Sequence, residues 1–212
     1  MGNVVRITDI EIIGNKVTVG FETEGEWSEL FCKNEFFAEY GSNITDVPKS
    51  VAIIPLMGTF LPLSWLFDGE IVVEELDKDF FECIPQVKAG FSEIYPHMNF
   101  GGKVTVKSVV ENKIDNTKYS QLFSGGLDAF HTLLSNIDKK PLLISVWGAD
   151  ITADNENGWS IVKKHIEETA AQFSLNYEVV RSNLREINTA LLHSREELKK
   201  VEMGGGMVFT TE

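Results

Sequence analysis

The sequence predicts an α/β protein in two parts: a C-terminal parallel sheet of βαβαβα order and an N-terminal α+β domain. Three observations carry this prediction. Beyond about residue 116, short apolar runs alternate regularly with helical stripes. Before that point, strand-like and helix-like runs follow one another without such alternation. Between the two lies the polar stretch "NKIDNTK", Asn112 to Lys118, which sets the predicted domains at 1–115 and 116–212.

In the first part, "VVRITDIEII" and "KVTVGFETE" are β-rich and flank Gly14-Asn15, a two-residue hairpin signal. "EWSELFCKNEFFAEYG" mixes strand and helix features. "VAIIPLMGTFLPLSWLF" is the most apolar stretch, but Pro55, Gly58 and Pro62 interrupt it and the acidic "DGEIVVEELDKD" follows directly. It reads as a broken, buried helix and not as a membrane span. "GEIVVEE" alternates like a strand, "KDFFECIPQVKAGFSEIY" is helical around Pro85, and "GGKVTVKSVVE" is a further strand. Phe31, Phe36, Phe37, Phe80 and Phe81 are assigned to the core. No motif in this part carries assignable chemistry.

In the second part, "YSQLF" is a short strand, and Phe130, Leu133, Leu134 and Ile137 form one helix face. "PLLISVW" is a continuous apolar run, the pattern of a strand buried on both faces. Trp159, Val162, Ile166, Ala170 and Phe173 form a second helical stripe, with Asn157 as its expected cap. "YEVV" is the third strand. Asn183 and Glu186 have capping-box spacing ahead of Leu184, Ile187, Leu191 and Leu198. Gly204 is a natural helix stop, and "MVFTT" is compatible with a fourth strand.

Composition narrows the function classes. The net charge is −13 with a pI near 4.8, so the basic footprint of a nucleic-acid binder is missing and a small-molecule or protein partner is expected. Cys32 and Cys83 lack metal or redox spacing and read as reduced, buried thiols. The N-terminal segment has no uninterrupted apolar run of the secretory type, and a cytoplasmic location is expected.

The chemistry concentrates in "SGGLDA", Ser124 to Ala129, at the end of the first strand of the alternating series and the start of its first helix. Ligands of open α/β sheets sit outside the carboxyl ends of the strands. Free helix N–H groups and the positive end of the helix dipole favour an anion there. Adjacent glycines let the chain turn and let a phosphate approach the backbone. Neither GxxxxGK[ST] nor GxGxxG is present, so the common phosphate loops do not apply.

The segment resembles the SGGxDS signature of the PP-loop superfamily, the adenine-nucleotide α-hydrolases and ATP pyrophosphatases. "FSGGLDAFHTLL", "LLISVWGADI" and "NGWSIVKKHIEETAAQFSLNYEVVRSN" are most similar to members related to the cyano-deazaguanine synthases of queuosine biosynthesis. The resemblance covers roughly residues 116 to 200 and implies a Rossmann-like domain that uses ATP and Mg²⁺. Such proteins adenylate an acceptor, here an unknown small molecule, and release pyrophosphate. Carried over by position, Ser124, Gly125, Gly126, Leu127 and Asp128 form the phosphate loop, with Ser124 and Asp128 catalytic and Asp128 the metal ligand. Gly148 and Asp150, in "WGAD", fall where adenine and ribose are bound; Trp147 and Trp159 are candidates to stack on the base, Trp159 reading first as a core residue. Ser182 and Asn183 line the same sheet edge, Asn183 reading first as a helix cap.

One position departs from the signature: Ala129 stands where a second serine is usual, which removes a donor to the pyrophosphate. The alternative reading is therefore a non-catalytic nucleotide-binding or protein-interaction module. A homodimer or a partner chain is a further means of completing the site. His131, one turn into the first helix, reads as surface, His165 as a packing residue, and His97 and His193 have no companions at metal spacing.

Overall fold

The computed structural model describes residues 2–113 and 118–187. The expectations for Leu191, His193, Leu198, Gly204 and Met207 to Thr211 fall outside them.

Gly14, in a left-handed turn, joins β1 (Val4–Ile13) to β2 (Lys16–Glu24) as the predicted hairpin. The ambiguous stretch resolves into one helical turn, α1 (Trp27–Leu30), followed by β3 (Glu35–Glu39). The apolar stretch becomes α2 (Lys49–Ala52) and α3 (Ile54–Leu66). Ten of the 13 residues of α3 are buried and only Pro55 and Gly58 are exposed, so it is apolar nearly all round. No helix among the described residues is long and apolar enough to cross a membrane. Next come β4 (Glu70–Asp77), α4 (Lys78–Ile94) and β5 (Lys103–Val110).

The second part supplies β6 (Ser120–Leu122), α5 (Leu127–Ser135), β7 (Leu142–Trp147), α6 (Glu156–Phe173) and β8 (Tyr177–Ser182). A 3₁₀ turn, Leu184–Ile187, follows where a third helix was expected to begin. The cap of α6 is Asn155, which accepts from Gly158 N, and not Asn157. In β7 the burial alternates, with Leu143 and Ser145 fully buried and their neighbours half-buried, so the strand is not sealed on both faces as expected.

The eight strands of the described residues belong to one sheet in the order β5-β4-β1-β2-β3-β8-β7-β6. The pairings β6–β7 and β7–β8 are parallel, as predicted, and so are β1–β4 and β4–β5. β1–β2, β2–β3 and β3–β8 are antiparallel, which makes the sheet mixed and continuous across the expected boundary. Two apolar clusters lie on it. The larger joins β1–β4 to α1–α4, with Phe21, Phe31 and Phe60 meeting edge to face at 5.2 to 6.1 Å between centroids. The smaller gathers Phe123, Leu133, Leu143, Trp159, Ile166 and Ala170 between β6–β7 and α5–α6.

The join between the parts is short but well bonded. Only Ala38–Ser182 and Glu39–Arg181 pair in register. Side chains extend it: Asn183 Oδ1 accepts from Phe37 N at 2.8 Å, Asn183 Nδ2 donates to Glu35 O at 2.9 Å, and Ser182 Oγ donates to Phe37 O at 2.9 Å. Asn183 is thus a cross-strand clamp and not the expected helix cap. Cys32, expected to be buried, is exposed and donates from its backbone N–H to Ile187 O at 2.8 Å; Cys83 is half-buried.

Two outcomes follow. Asn183 is 4% exposed, so Asn183→Ala strands two backbone groups and should cost about 2–3 kcal/mol in urea unfolding. A loss below about 0.5 kcal/mol would mean that the clamp does not hold the seam. Asp77 is 3% exposed and caps α4. The side-chain amide of Asn112, and then the amide of Phe80, hold its carboxyl below the ordinary value of 3.8. A depressed acid stabilises fully above its unfolded value and loses that stabilisation as pH falls below it. Acid titration of stability below about pH 4 should therefore be shallower in Asp77→Asn than in the wild type.

Candidate functional site

The β6–β7 ladder ends at Leu122–Ile144, and Phe123 N donates once more, to Ile144 O at 2.7 Å. Phe123 is buried against Phe130, which fixes where the chain must leave the sheet. Gly125 then takes φ +81°, a left-handed conformation that L side chains adopt at a cost. Gly126 is the N-terminal boundary residue of α5, and Leu127 begins the helix. The side chain of Gln121 braces the turn from below by donating to Ala129 O at 2.8 Å.

A cavity of about 370 Å³ opens at this point, between the carboxyl ends of β6 and β7. One wall is the loop with Ser124, Gly126, Leu127 and Asp128, continued by Ala129 and Thr132 of α5. The opposite wall is Ala149, Asp150 and Ile151, with Trp159 and Val162 of α6. Ser145 lies on the floor and is 4% exposed. Ser124, Gly126, Leu127, Asp128 and Asp150 therefore meet at one cavity. Gly125 shapes the turn without lining it.

Gly148 does not line it either. A Cβ there would lie 1.7 Å from Ser182 O, so this glycine admits the backbone of β8 and not a ligand. The carbonyls of the loop after it are all bonded. Ala149 O and Asp150 O accept from Arg185 Nη1 at 3.0 and 3.3 Å, and Ile151 O accepts from Gly148 N at 2.9 Å. Thr152 O accepts from Trp147 Nε1 at 3.0 Å and Ala153 O from Arg181 Nη2 at 3.2 Å. The second wall is thus pre-organised by side chains of β7, β8 and the turn beyond it. Just beyond it, the Thr152 hydroxyl and a backbone amide hold the Asp154 carboxyl below the usual range.

Trp147 stacks on Trp159 at 5.5 Å with the rings 2° from parallel, and the Arg181 guanidinium lies over Trp147 at 4.9 Å. Trp147 is therefore engaged within the protein, and Trp159 alone of the pair reaches the cavity. His165, expected to pack, is on the exposed side of α6, 3.7 Å from Glu168. Lys163 and Lys164 pair with Glu167 and Glu168 on that surface.

The first-turn amides of α5, on Leu127, Asp128 and Ala129, have no acceptor within the helix, and no side chain caps them. Gly126 has φ −77°, which any residue adopts, and a Cβ there would meet only Ser124 Oγ, at 3.4 Å. Neither conformation nor packing within the chain requires a glycine at 126; the space it leaves faces the cavity. Among the described residues the lining includes no Lys or Arg. Sequence reading missed Gln121, Thr132 and Ser145. A lone polar residue inside an apolar strand run was the available signal for Gln121 and Ser145.

Comparison of the chain with protein-family models, characterised proteins and solved structures finds no match.

The two glycines should separate in stability measurements. Gly125→Ala should cost about 1–2 kcal/mol, because φ +81° is retained only with strain. Gly126→Ala should stay within about 0.5 kcal/mol of the wild type. Equal losses in thermal unfolding would contradict the assignment of one glycine to the turn and the other to the cavity.

Proposed function

We propose that the cavity binds ATP with Mg²⁺, the phosphates lying against the loop 124–128. One observation carries the reading: an uncapped helix N-terminus, entered through a glycine that its own backbone does not need, opens on a cavity at the carboxyl ends of two parallel strands. Amides and the helix dipole favour an anion there. The volume falls in the ordinary range for small-molecule sites. The resemblance of "SGGLDA" to the PP-loop signature selects ATP among phosphorylated ligands.

The lining fits the metal complex better than bare phosphate. Asp128 and Asp150 would repel a triphosphate, and among the described residues the lining holds no cationic side chain, the Arg185 guanidinium being bonded to the carbonyls behind Asp150. Both present the hard oxygen donors that Mg²⁺ prefers. Among the described residues no cluster of three ligating side chains exists, so phosphate and water would complete the coordination. Bound there, the metal would neutralise phosphate charge. Ser124 and the loop amides would orient the α- and β-phosphates. In the reaction the resemblance implies, an acceptor atom bonds to the α-phosphorus, the α–β P–O bond breaks, and pyrophosphate leaves.

A second reading has its own observation. Ala129 lines the cavity and brings a methyl group where a hydroxyl would stabilise the leaving pyrophosphate. On that reading the domain binds nucleotide without turning it over.

Calorimetry with ATP–Mg²⁺ tests the common core of both. Saturable binding is expected, reduced at least about tenfold by Gly126→Val, which fills the cradle, and by Ser124→Ala combined with Asp128→Asn. Unchanged binding in both variants would overturn the site. Pyrophosphate release in the presence of candidate acceptors then separates the two readings.

A further inference from the structure

We infer that Ser145 is a specificity-determining residue that accepts a hydrogen bond from a donor on the bound nucleoside. The inference rests on the nucleotide reading above and adds which part of the ligand the cavity floor recognises.

Ser145 is an unusual residue for its place. It sits mid-strand in the apolar run "LLISVW", is 4% exposed, and borders both the smaller core cluster and the cavity. A buried hydroxyl needs a partner, and Ser145 has one: its Oγ lies 2.5 Å from Phe123 O. A carbonyl oxygen can only accept, so the single hydroxyl proton of Ser145 is committed to Phe123. What remains on Oγ is lone-pair capacity. Towards the cavity, Ser145 therefore acts as an acceptor.

This polarity excludes phosphate as its ligand, since phosphate oxygens also accept. The polar groups of the cavity thus fall into two sets. The donors are the α5 first-turn amides and the Ser124 and Thr132 hydroxyls on the loop-and-helix wall, with the indole N–H of Trp159 on the other wall. The acceptors are Ser145 Oγ on the floor, the side-chain carbonyl of Gln121 and the Asp128 and Asp150 carboxylates. The amide nitrogen of Gln121, the other polar side chain near the floor, is already given to Ala129 O. An occupant must present acceptors to the amides and a donor to the floor. In a nucleoside triphosphate the donors are the exocyclic amine of the base and the ribose hydroxyls, and either meets the requirement. A purely phosphorylated small anion, lacking any donor, does not.

The test is a double-mutant cycle between protein and ligand. Binding of ATP, purine riboside triphosphate (no exocyclic amine), 2′-deoxy-ATP and 3′-deoxy-ATP is measured by calorimetry with Mg²⁺ on wild type and Ser145→Ala. We expect one analogue to bind wild type about tenfold more weakly than ATP, the value of about one hydrogen bond, and to bind Ser145→Ala as well as ATP does. The identity of that analogue says whether base or ribose is read. If every analogue binds wild type like ATP, or if the loss persists unchanged in a Ser145→Ala protein that melts normally, the inference is overturned. The wild-type series alone decides the first of these, whatever the variant does to folding. No binding of ATP to the wild type would remove the nucleotide reading itself, and this inference with it; binding without coupling removes only the inference.

Discussion

Strand β8 joins the two parts of the chain, pairing with β7 on one side and β3 on the other. Its carboxyl end pairs with β3 through two residues, and Ser182 and Asn183 then reach β3 with their side chains. The same Ser182 offers its carbonyl to the space vacated by the missing side chain of Gly148. Arg181 and Arg185, flanking this point, hold the carbonyls of the loop that walls the cavity. One close approach of backbone therefore fixes both the junction of the two parts and the shape of the site. Burial makes it costly to disturb, since Ser182 and Asn183 are each 4% exposed and their partners are backbone groups of β3.

This gives the N-terminal part a physical role that its sequence did not disclose. Its large cluster, built on α3 and the Phe21, Phe31 and Phe60 contacts, stabilises β1–β4 as a block. β3 is the edge of that block, and β8 docks on it in antiparallel sense. A three-stranded parallel sheet with one small core would otherwise stand alone, and parallel sheets are stable chiefly when both faces are covered. The mixed sheet extends the support of the larger core to β8 and through it to the cavity loop.

What the sequence disclosed follows from the range of the forces involved. Hairpin, helices and strand alternation depend on local periodicity and turn chemistry, and Gly14, the α3 run and the "SGG" turn were all legible. Sheet order was not, because the pairing of β3 with β8 joins residues about 145 positions apart and leaves no local trace. Asn183 shows the failure in one residue. Its spacing to Glu186 satisfies a capping rule, but the side chain was recruited by β3. Gly148 fails similarly: the need for glycine was readable, but whether a ligand or a strand fills the space was not. At the site, "SGGLDA" gave one wall and Asp150 a residue of the other, and both line one cavity. The polar residues inside strands, Gln121 and Ser145, were visible as polar positions in apolar runs, but nothing local tied them to the cavity.

The charge of the cavity sharpens the functional argument. A lone helix N-terminus contributes about half an elementary charge, which is little against a triphosphate. Common phosphate loops add a lysine; this lining adds two carboxylates instead. On the proposed reading such a site would bind a free polyphosphate weakly and would gain affinity when the ligand arrives with its own divalent cation, which would turn both carboxylates from repulsive to attractive. Asp128 and the loop amides lie within one turn of each other, so the same few residues would meet the cation and the phosphate together. Discrimination then comes from charge pairing at one end and from the acceptor on the floor at the other. On the proposed reading neither would depend on a hydroxyl at position 129, so nucleotide binding would not require turnover.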